Sequence, residues 1–437
     1  MSRGRFLFAL HDDGGNLALI LPIMRELVAR GHEVRVLAGP SARRQRRSLG
    51  PRALERIAAT GASAIVLAEP SIHPYDEAHF RGLVCGWTPR WLVRITANCP
   101  PLAWCPAWAT AIAAELRRTP ADVVVADFVL LGAVVGAEAI GVPAAVLVHG
   151  IYKHRPARGV PPYGTAFMPA RTWVERLRDA SYRAAIEYRY RRDGLPPLNR
   201  ARRQVGLSPL RSPFDEFDRA ERVLILASSS FDFVPRDLPP NVRYVGAPLD
   251  RPDGASWQSP WPAEDPRPLI LVTLSTMEQQ QEALMQRILD AVGTLSVHAI
   301  VTLGPSLDAT AFNAPVNAVL ETFVPHAAVM PLVTAVVTQC GFGTIAQALA
   351  QGVPLVCLPL TGDQPANAAR VVAHGAGVML RPDASSEQIA RAIELVVRER
   401  RFRDAAQRLA EVQSKEDGTQ AAAHELELLI PVHQTSE

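Results

Sequence analysis

The sequence contains little of what disulfide-stapled, membrane-spanning or nucleic-acid-binding proteins depend on. Only five of its 437 residues are cysteines, and no two form a Cys-x-x-Cys pair, so neither a disulfide framework nor a zinc ribbon is indicated. No apolar run approaches the roughly 18 residues of a membrane span. The net charge of +3 is too small to indicate a nucleic-acid partner. The reducing cytoplasm is the expected location.

The composition is that of an ordinary globular protein. Hydrophobic residues make up 48% of the chain and charged residues 20%, and the length corresponds to two or three domains of roughly 150 residues each. Such a chain buries a sizeable core without disulfides or metals. The apolar run at residues 6–10 is too short for the hydrophobic segment of a signal peptide.

One succession of secondary structure occurs three times. Residues 6–10 are predicted to form a buried strand, a polar glycine-rich turn follows at 11–16, and apolar residues then recur at helical spacing up to Arg30. The same succession follows the apolar runs at 123–125 and 335–337. These units predict an α/β protein with two Rossmann-like domains, whose parallel sheets face a central cleft. Ligands of such folds bind beyond the carboxyl ends of the strands.

The third of these loops has the form of an anion-binding site. The run from Gln339 to Thr344 (Gln-Cys-Gly-Phe-Gly-Thr) follows a strand and begins a helix, so the N–H groups of the first helical turn would attract a phosphate. A tight turn with a purely structural role explains the glycines about equally well. Asp363 and Gln364 lie just past the next strand, where they can hold sugar hydroxyls or simply cap the following helix.

Residues 323–378 resemble the donor-binding signature of the family 1 glycosyltransferases, which are nucleotide-sugar-dependent enzymes of the two-Rossmann GT-B fold. The likeness rests on the segments that begin at Phe323, Gln339 and Gly362, and it extends to residues 25–34 and to the loop after Leu274. The resemblance is to bacterial enzymes that glycosylate macrolides and other natural products. It implies a UDP- or dTDP-sugar as co-substrate and no separate cofactor.

The resemblance also assigns the donor site residue by residue. Phe323 would stack on the nucleotide base and the backbone of Val324 would pair with it. Gln347 stands in place of a ribose-binding glutamate, and its amide can still make that hydrogen bond. Gln339 stands in place of a phosphate-contacting histidine and brings no positive charge, so donor affinity or leaving-group stabilisation is in question. The donor-binding residues implied are Ser275, Thr276, Phe323, Val324, His326, Gln339, Gly341, Gly343, Thr344, Gln347, Asp363 and Gln364.

The first half departs from the family at the catalytic base. Where members carry a general-base histidine this chain has Asn16, which cannot accept a proton near neutral pH. Three interpretations stay open: a neighbouring group is the base, the acceptor is acidic enough to need little help, or the protein is a poor catalyst that needs a partner. The candidate bases are Asp127, which matches the aspartate that supports the family's histidine, and Asp12, Asp13, His11 and His149.

The acceptor side is predicted with less detail. His149, Trp87 and Trp91 are the candidate acceptor-binding residues, because aromatic walls suit a flat or apolar acceptor, although core packing explains them as well. The chain has no Asp-x-Asp motif and no closely spaced His or Cys residues, so no metal site is predicted.

The sequence thus predicts four segments and one activity. The segments are an acceptor-binding domain (1–235), a linker (236–268), a nucleotide-sugar-binding domain (269–401) and a C-terminal helix (402–437) that packs back on the first domain.

The activity is inverting transfer of a sugar from UDP or dTDP to an oxygen, or a carbon, of a hydrophobic or aromatic natural product. The alternative is a catalytically weak nucleotide-sugar-binding protein that activates a partner glycosyltransferase. The expected partners are the nucleotide sugar and a small-molecule acceptor, with no nucleic acid and no membrane span, and a homodimer is possible.

Overall fold

Two parallel β-sheets flanked by helices make up the molecule. The computed structural model describes residues 3–10, 16–38, 51–67, 100–249, 257–262, 264–274, 281–304 and 307–431. Over these segments the α/β architecture with two parallel-sheet domains is confirmed. Within the same segments, no helix has both the length and the apolar character that crossing a bilayer requires.

The first sheet has seven strands in the order β3-β2-β1-β4-β5-β6-β7. They are β1 (Arg5–Leu10), β2 (Glu33–Ala38), β3 (Ser63–Val66), β4 (Val123–Asp127), β5 (Ala144–Val148), β6 (Arg222–Ile225) and β7 (Val242–Tyr244). The helices around them are α1 (Leu17–Ala29), α2 (Pro51–Ala58), α3 (Cys105–Arg118), α4 (Leu131–Ile140), α5 (Trp173–Arg189) and α6 (Leu195–Gln204). Strands β4 and β5 are buried over their whole length, because helices cover both faces of a parallel sheet.

The second sheet has six strands in the order β10-β9-β8-β11-β12-β13. They are β8 (Leu269–Thr273), β9 (His298–Thr302), β10 (Ala318–Glu321), β11 (Ala335–Thr338), β12 (Leu355–Cys357) and β13 (Gly377–Met379). Its helices are α7 (Glu282–Gly293), α8 (His326–Val329), α9 (Phe342–Ala350), α10 (Gln364–Ala373) and α11 (Ser386–Arg398), followed by α12 (Arg400–Gln413) and α13 (Gly418–Glu427). In each sheet the strand order reverses beside the first strand, which places a ligand crevice at that point.

Two predicted boundaries are corrected by the structure. Strand β7 pairs with β6, so the first sheet continues past residue 235 into the segment predicted to be linker. Helix α12 buries Phe402 in the core of the second domain, whereas α13 contacts the first domain through the Glu427 carboxylate, which bonds Arg30 and His32. Just before α13, the Glu416 carboxylate accepts the Ser228 hydroxyl at 2.8 Å, so the return to the first domain begins at Glu416 and not at residue 402.

A buried ion pair joins the two domains. Asp232, in the loop after β6, accepts a hydrogen bond from the Arg370 guanidinium on α10 at 2.7 Å, and the two side chains are 0% and 2% exposed. The same carboxylate accepts bonds from the backbone N–H of Tyr152 (2.6 Å) and the hydroxyl of Tyr244 (2.8 Å). The loops after β5 and β6 are therefore tied to the helix that follows the predicted sugar-binding residues.

Replacing Arg370 tests this pair. Arg370→Met leaves the Asp232 carboxylate buried without its counter-charge, and we expect a loss of about 3–5 kcal/mol in the free energy of unfolding. The midpoint of urea unfolding measures it. The matched control is Asp383→Asn in the exposed pair with Arg381, which should leave the midpoint unchanged. Equal midpoints for Arg370→Met and the wild type would show that the pair does not hold the domains together.

Candidate active site in the cleft between the domains

The loop between β11 and α9 is held in an uncommon backbone conformation. Cys340 has a φ of 73° and is the one residue other than glycine with positive φ in the described segments, a conformation that costs on the order of 1 kcal/mol for such a residue. Its N–H donates to the Thr338 hydroxyl (3.2 Å), and its carbonyl accepts from the Asn367 side chain (3.0 Å). These two bonds fix the direction in which α9 begins.

The first turn of α9 has unbonded N–H groups and open space beside Gly343. Gly341 is the N-cap and has no side-chain capping bond, so the N–H groups of Phe342, Gly343 and Thr344 have no acceptor within the helix. A Cβ at Gly343 would meet nothing within 4 Å. The unbonded N–H groups and the positive end of the helix dipole lie at this turn, which suits an anion such as a diphosphate.

The carboxylate predicted to hold the sugar is paired with a lysine from the other domain. Asp363 accepts a hydrogen bond from Lys153 Nζ at 2.8 Å, and the lysine side chain is only 4% exposed. Burial alone would raise the pKa of the Asp363 carboxyl, but the Lys153 ammonium and, more weakly, His149 hold it below its usual range. Lys153 lies in the loop after β5, so this contact crosses the cleft.

The other residues predicted to bind the donor differ in how exposed they are and in what they bond. Phe323 is 74% exposed, whereas Val324 beside it is buried. Gln347 keeps its side-chain oxygen buried without a hydrogen-bond donor among the described residues. Burial lowers the pKa of His326, so its ring is neutral near neutral pH.

Two glutamines of the predicted donor site make hydrogen bonds within the protein. The Gln364 oxygen accepts the backbone N–H groups of Leu360 (2.8 Å) and Thr361 (3.0 Å), so this oxygen shapes the loop that presents Asp363. The Gln339 oxygen accepts the Thr338 hydroxyl at 3.0 Å. Their contacts with a donor stay predictions, as do those of Ser275 and Thr276, which lie outside the described residues.

On the acceptor side, Asn16 and Asp127 meet at the carboxyl ends of neighbouring strands. Asp127 is fully buried and accepts bonds from Asn16 Nδ2 at 2.9 Å and from the Val129 N–H at 3.1 Å. His149, just past β5, places its Nε2 3.5 Å from Asp127 Oδ1. Burial would raise the pKa of Asp127, but His149, Asn16 and Val129 together hold it below its usual range.

Some predicted site residues lie outside the described segments, and some relevant residues were missed. The former are His11, Asp12, Asp13, Trp87 and Trp91. The structure adds Lys153 and His154, which sequence reasoning did not select. The one available signal was their position in the loop after a buried strand, four and five residues past His149, where Rossmann-like folds place ligand contacts.

Comparison with known proteins identifies the family. Residues 286–429 match the family described as erythromycin biosynthesis protein CIII-like, C-terminal domain. The chain is 30% identical to 4′-demethylrebeccamycin synthase of Lentzea aerocolonigenes over 434 residues, which cover 98% of this chain and 99% of that protein. The chain belongs to the family 1 glycosyltransferases. It is thus an enzyme of natural-product biosynthesis, as the resemblance predicted.

Solved structures confirm the GT-B fold of this glycosyltransferase. The glycotransferase of kitacinnamycin superimposes with a TM-score of 0.73 at 20% identity and covers 98% of this chain and 99% of that one. The glycosyltransferase VinC in complex with dTDP superimposes with a TM-score of 0.69 at 17% identity and covers 97% and 99%.

The pair across the cleft is testable by a double-mutant cycle. Lys153→Met and Asp363→Asn should each destabilise the glycosyltransferase, and the double variant should lose less than the sum, with a coupling of about 1 kcal/mol or more in urea unfolding. A cycle on the exposed pair of Glu394 and Arg398 is the control and should be additive. Additive losses at Lys153 and Asp363 would show that the two side chains do not interact in solution.

Proposed function

We propose that this glycosyltransferase transfers a sugar, with inversion at the anomeric carbon, from a UDP- or dTDP-sugar to a hydrophobic or aromatic natural-product acceptor. The observation that carries the proposal is the contact of Lys153 with Asp363 across the cleft. It places an ionised carboxylate of the second domain, suited to sugar hydroxyls, beside the loop after β5, which also carries His149.

The donor half has groups that match each part of a nucleotide sugar. The open first turn of α9 suits the diphosphate, the exposed ring of Phe323 offers a face for the base, and the unbonded oxygen of Gln347 can accept a ribose hydroxyl. Backbone N–H groups and the Lys153 ammonium can stabilise the charge of the leaving diphosphate without a metal ion. A neighbour of the same fold, VinC, was solved with dTDP.

The relative placement of the two half-sites allows inversion. The donor groups belong to the second sheet and the acceptor groups to the first, and the carboxyl ends of both sheets face the same cleft. An acceptor hydroxyl lying against the first domain would attack the anomeric carbon from the side opposite the diphosphate. In this in-line displacement the new carbon–oxygen bond forms as the bond to the diphosphate breaks, and the bonding electrons leave with the phosphate.

The acceptor half contains two adjoining cavities with aromatic walls. The first is lined by Lys153, Tyr152 and Arg183, among others. The second extends to Phe128 and Val129, which directly follow Asp127. The position of these cavities beside Asp127 and Lys153 suits an acceptor.

One polar side chain stands between the two cavities. His154, Tyr190 and Phe214 line both of them. His154 packs against Tyr152 and Phe217 with ring centroids 4.6 and 4.8 Å apart, and neither of its ring nitrogens has a hydrogen-bond partner among the described residues. A neutral imidazole offers one donor and one acceptor, so it can recognise a polar edge on an otherwise apolar acceptor.

The proposed reaction is testable by turnover and by one substitution in the donor site. With UDP-glucose or dTDP-glucose and a panel of phenols, the wild type should give glycosides of inverted anomeric configuration, measured by NMR. Gly343→Glu should abolish this transfer and the rise in melting temperature caused by UDP or dTDP, because its carboxylate fills the anion site. The ligand-free melting temperature should not fall, since the Cβ at Gly343 has open space.

The control for the added charge is Gln351→Glu at the other end of α9, which should keep both turnover and the nucleotide-induced shift. A wild type indifferent to both nucleotides would refute the donor assignment. Glycosides with retained configuration would refute inversion.

His154 provides a prediction that links stability to acceptor binding. Burial, with a smaller contribution from Arg155, lowers the pKa of His154 to about 3 from 6.5, so the folded protein loses stability as the pH falls below 6.5 and the unfolded chain takes up a proton. His154→Phe should flatten this loss. At neutral pH it should stabilise the protein by about 1–3 kcal/mol, because two unbonded buried nitrogens are removed.

The same variant should weaken acceptor binding. We expect a higher KM for the acceptor with an unchanged nucleotide-induced rise in melting temperature. Urea unfolding at several pH values and initial-rate kinetics are the measurements. A KM equal to that of the wild type would show that His154 does not contact the acceptor.

A further inference from the structure

The acceptor domain contains a histidine–carboxylate pair that does not use the position of the family's catalytic histidine. Asp127 ends β4 and pairs in register with Leu147 of β5, and His149 lies two residues further along. Its Nε2 is 3.5 Å from Asp127 Oδ1. Neighbouring parallel strands therefore bring the two side chains together at the same edge of the sheet.

The carboxylate of this pair is fixed and charged. Asn16 Nδ2 donates to one oxygen and the Val129 N–H donates to the other, and these bonds together with His149 keep the pKa of Asp127 below its usual range. An ionised, oriented carboxylate beside an imidazole stabilises the imidazolium form. Asn16 thus positions Asp127, a role that an amide performs without accepting a proton.

The His149 imidazole is partly exposed to solvent, whereas the Asp127 carboxylate is fully buried. The Asp127 side chain is 0% exposed, whereas that of His149 is 17% exposed. Nε2 is buried and has no hydrogen-bond partner among the described residues, so its N–H is available to Asp127 when the ring becomes charged. With the proton on Nε2, Nδ1 of the neutral ring carries a free lone pair.

The histidine also lies beside the donor half. A Cβ at the next residue, Gly150, would lie 2.9 Å from the ring of Phe342, which begins α9. His149 also contributes to the lowered pKa of Asp363. Among the described residues, the groups that face it are therefore Asp127 and Asn16 from the first domain, Phe128 with ring centroids 4.9 Å apart, and the pair of Lys153 and Asp363.

We infer that His149 is the general base of this glycosyltransferase, with Asp127 and Asn16 as positioning residues. The inference rests on the proposed function. As the acceptor oxygen bonds to the anomeric carbon, its proton passes to His149 Nδ1, and the electrons of the broken carbon–oxygen bond leave with the diphosphate. Asp127 stays ionised and stabilises the imidazolium. The proton is then released to solvent.

The test varies the acidity of the acceptor in His149→Gln. Loss of a general base costs about 10²- to 10⁴-fold in rate when the acceptor must be deprotonated, so transfer from dTDP-glucose or UDP-glucose to phenol should fall by at least about 10²-fold. Transfer to 4-nitrophenol, at a pH where it is already ionised, should stay within a few-fold of the wild type. A merely structural role for His149 would lower both rates equally.

Three further measurements complete the test. The wild-type rate with phenol should fall on the acid side of its pH profile, and this fall should vanish in His149→Gln. The nucleotide-induced rise in melting temperature should persist in the variant. The surface variant His424→Gln is the matched control and should behave as the wild type with both acceptors.

The outcomes separate the inference from the proposed function. A His149→Gln enzyme that transfers to phenol at the wild-type rate, or whose rate still falls on the acid side of the pH profile, would overturn the assignment. The proposed glycosyl transfer itself would be left intact. A wild type that binds neither nucleotide and glycosylates no phenol would overturn the proposed function, and the assignment with it.

Discussion

The buried ion pair of Asp232 and Arg370 is the interaction on which the geometry of the cleft depends. Burying two charges costs several kcal/mol in desolvation, and here the cost is offset because the carboxylate is bonded on every side, by Arg370, Tyr152 and Tyr244. Because all of these bonds must form together, the loop of Asp232 and the helix of Arg370 can take only one relative position. The pair therefore sets the position of the loop after β5 over the helix that follows Asp363, and Lys153 and His149 reach the donor half only because that loop is held there.

The two halves of the site are built by different means. The donor half is local: one strained residue, Cys340, turns β11 into α9 and so exposes the N–H groups of a helix end. The acceptor half is assembled from distant segments, since the bond between Asn16 and Asp127 joins residues 111 positions apart. Local construction suits the donor, whose diphosphate is always the same anion. Assembly from several loops allows the acceptor half to change without disturbing the donor site.

Much of the donor half was predictable because its chemistry follows from neighbouring residues. The glycines after β11, Asp363 after β12 and the parallel sheets all follow from short-range patterns. Other features depend on packing between segments far apart in the chain. The partner of Asp363 is Lys153, 210 residues away, and the cavities around His154 arise where segments as far apart in the chain as Leu102 and Phe217 meet. The extension of the first sheet to β7 was also missed, because a strand of three residues shows too little alternation of apolar and polar residues to be predicted from its sequence.

The sequence by itself determined the fold class, the family and the residues proposed to bind a nucleotide sugar, because strand and helix periodicities and helix-end chemistry are properties of consecutive residues. It also determined that Asn16 is not a base, since an amide has no proton-accepting group near neutral pH. Only the tertiary structure decided which imidazole approaches Asp127 and which ammonium neutralises Asp363. Both contacts are made across neighbouring strands or across the cleft, and their distances are set by the packing of whole elements.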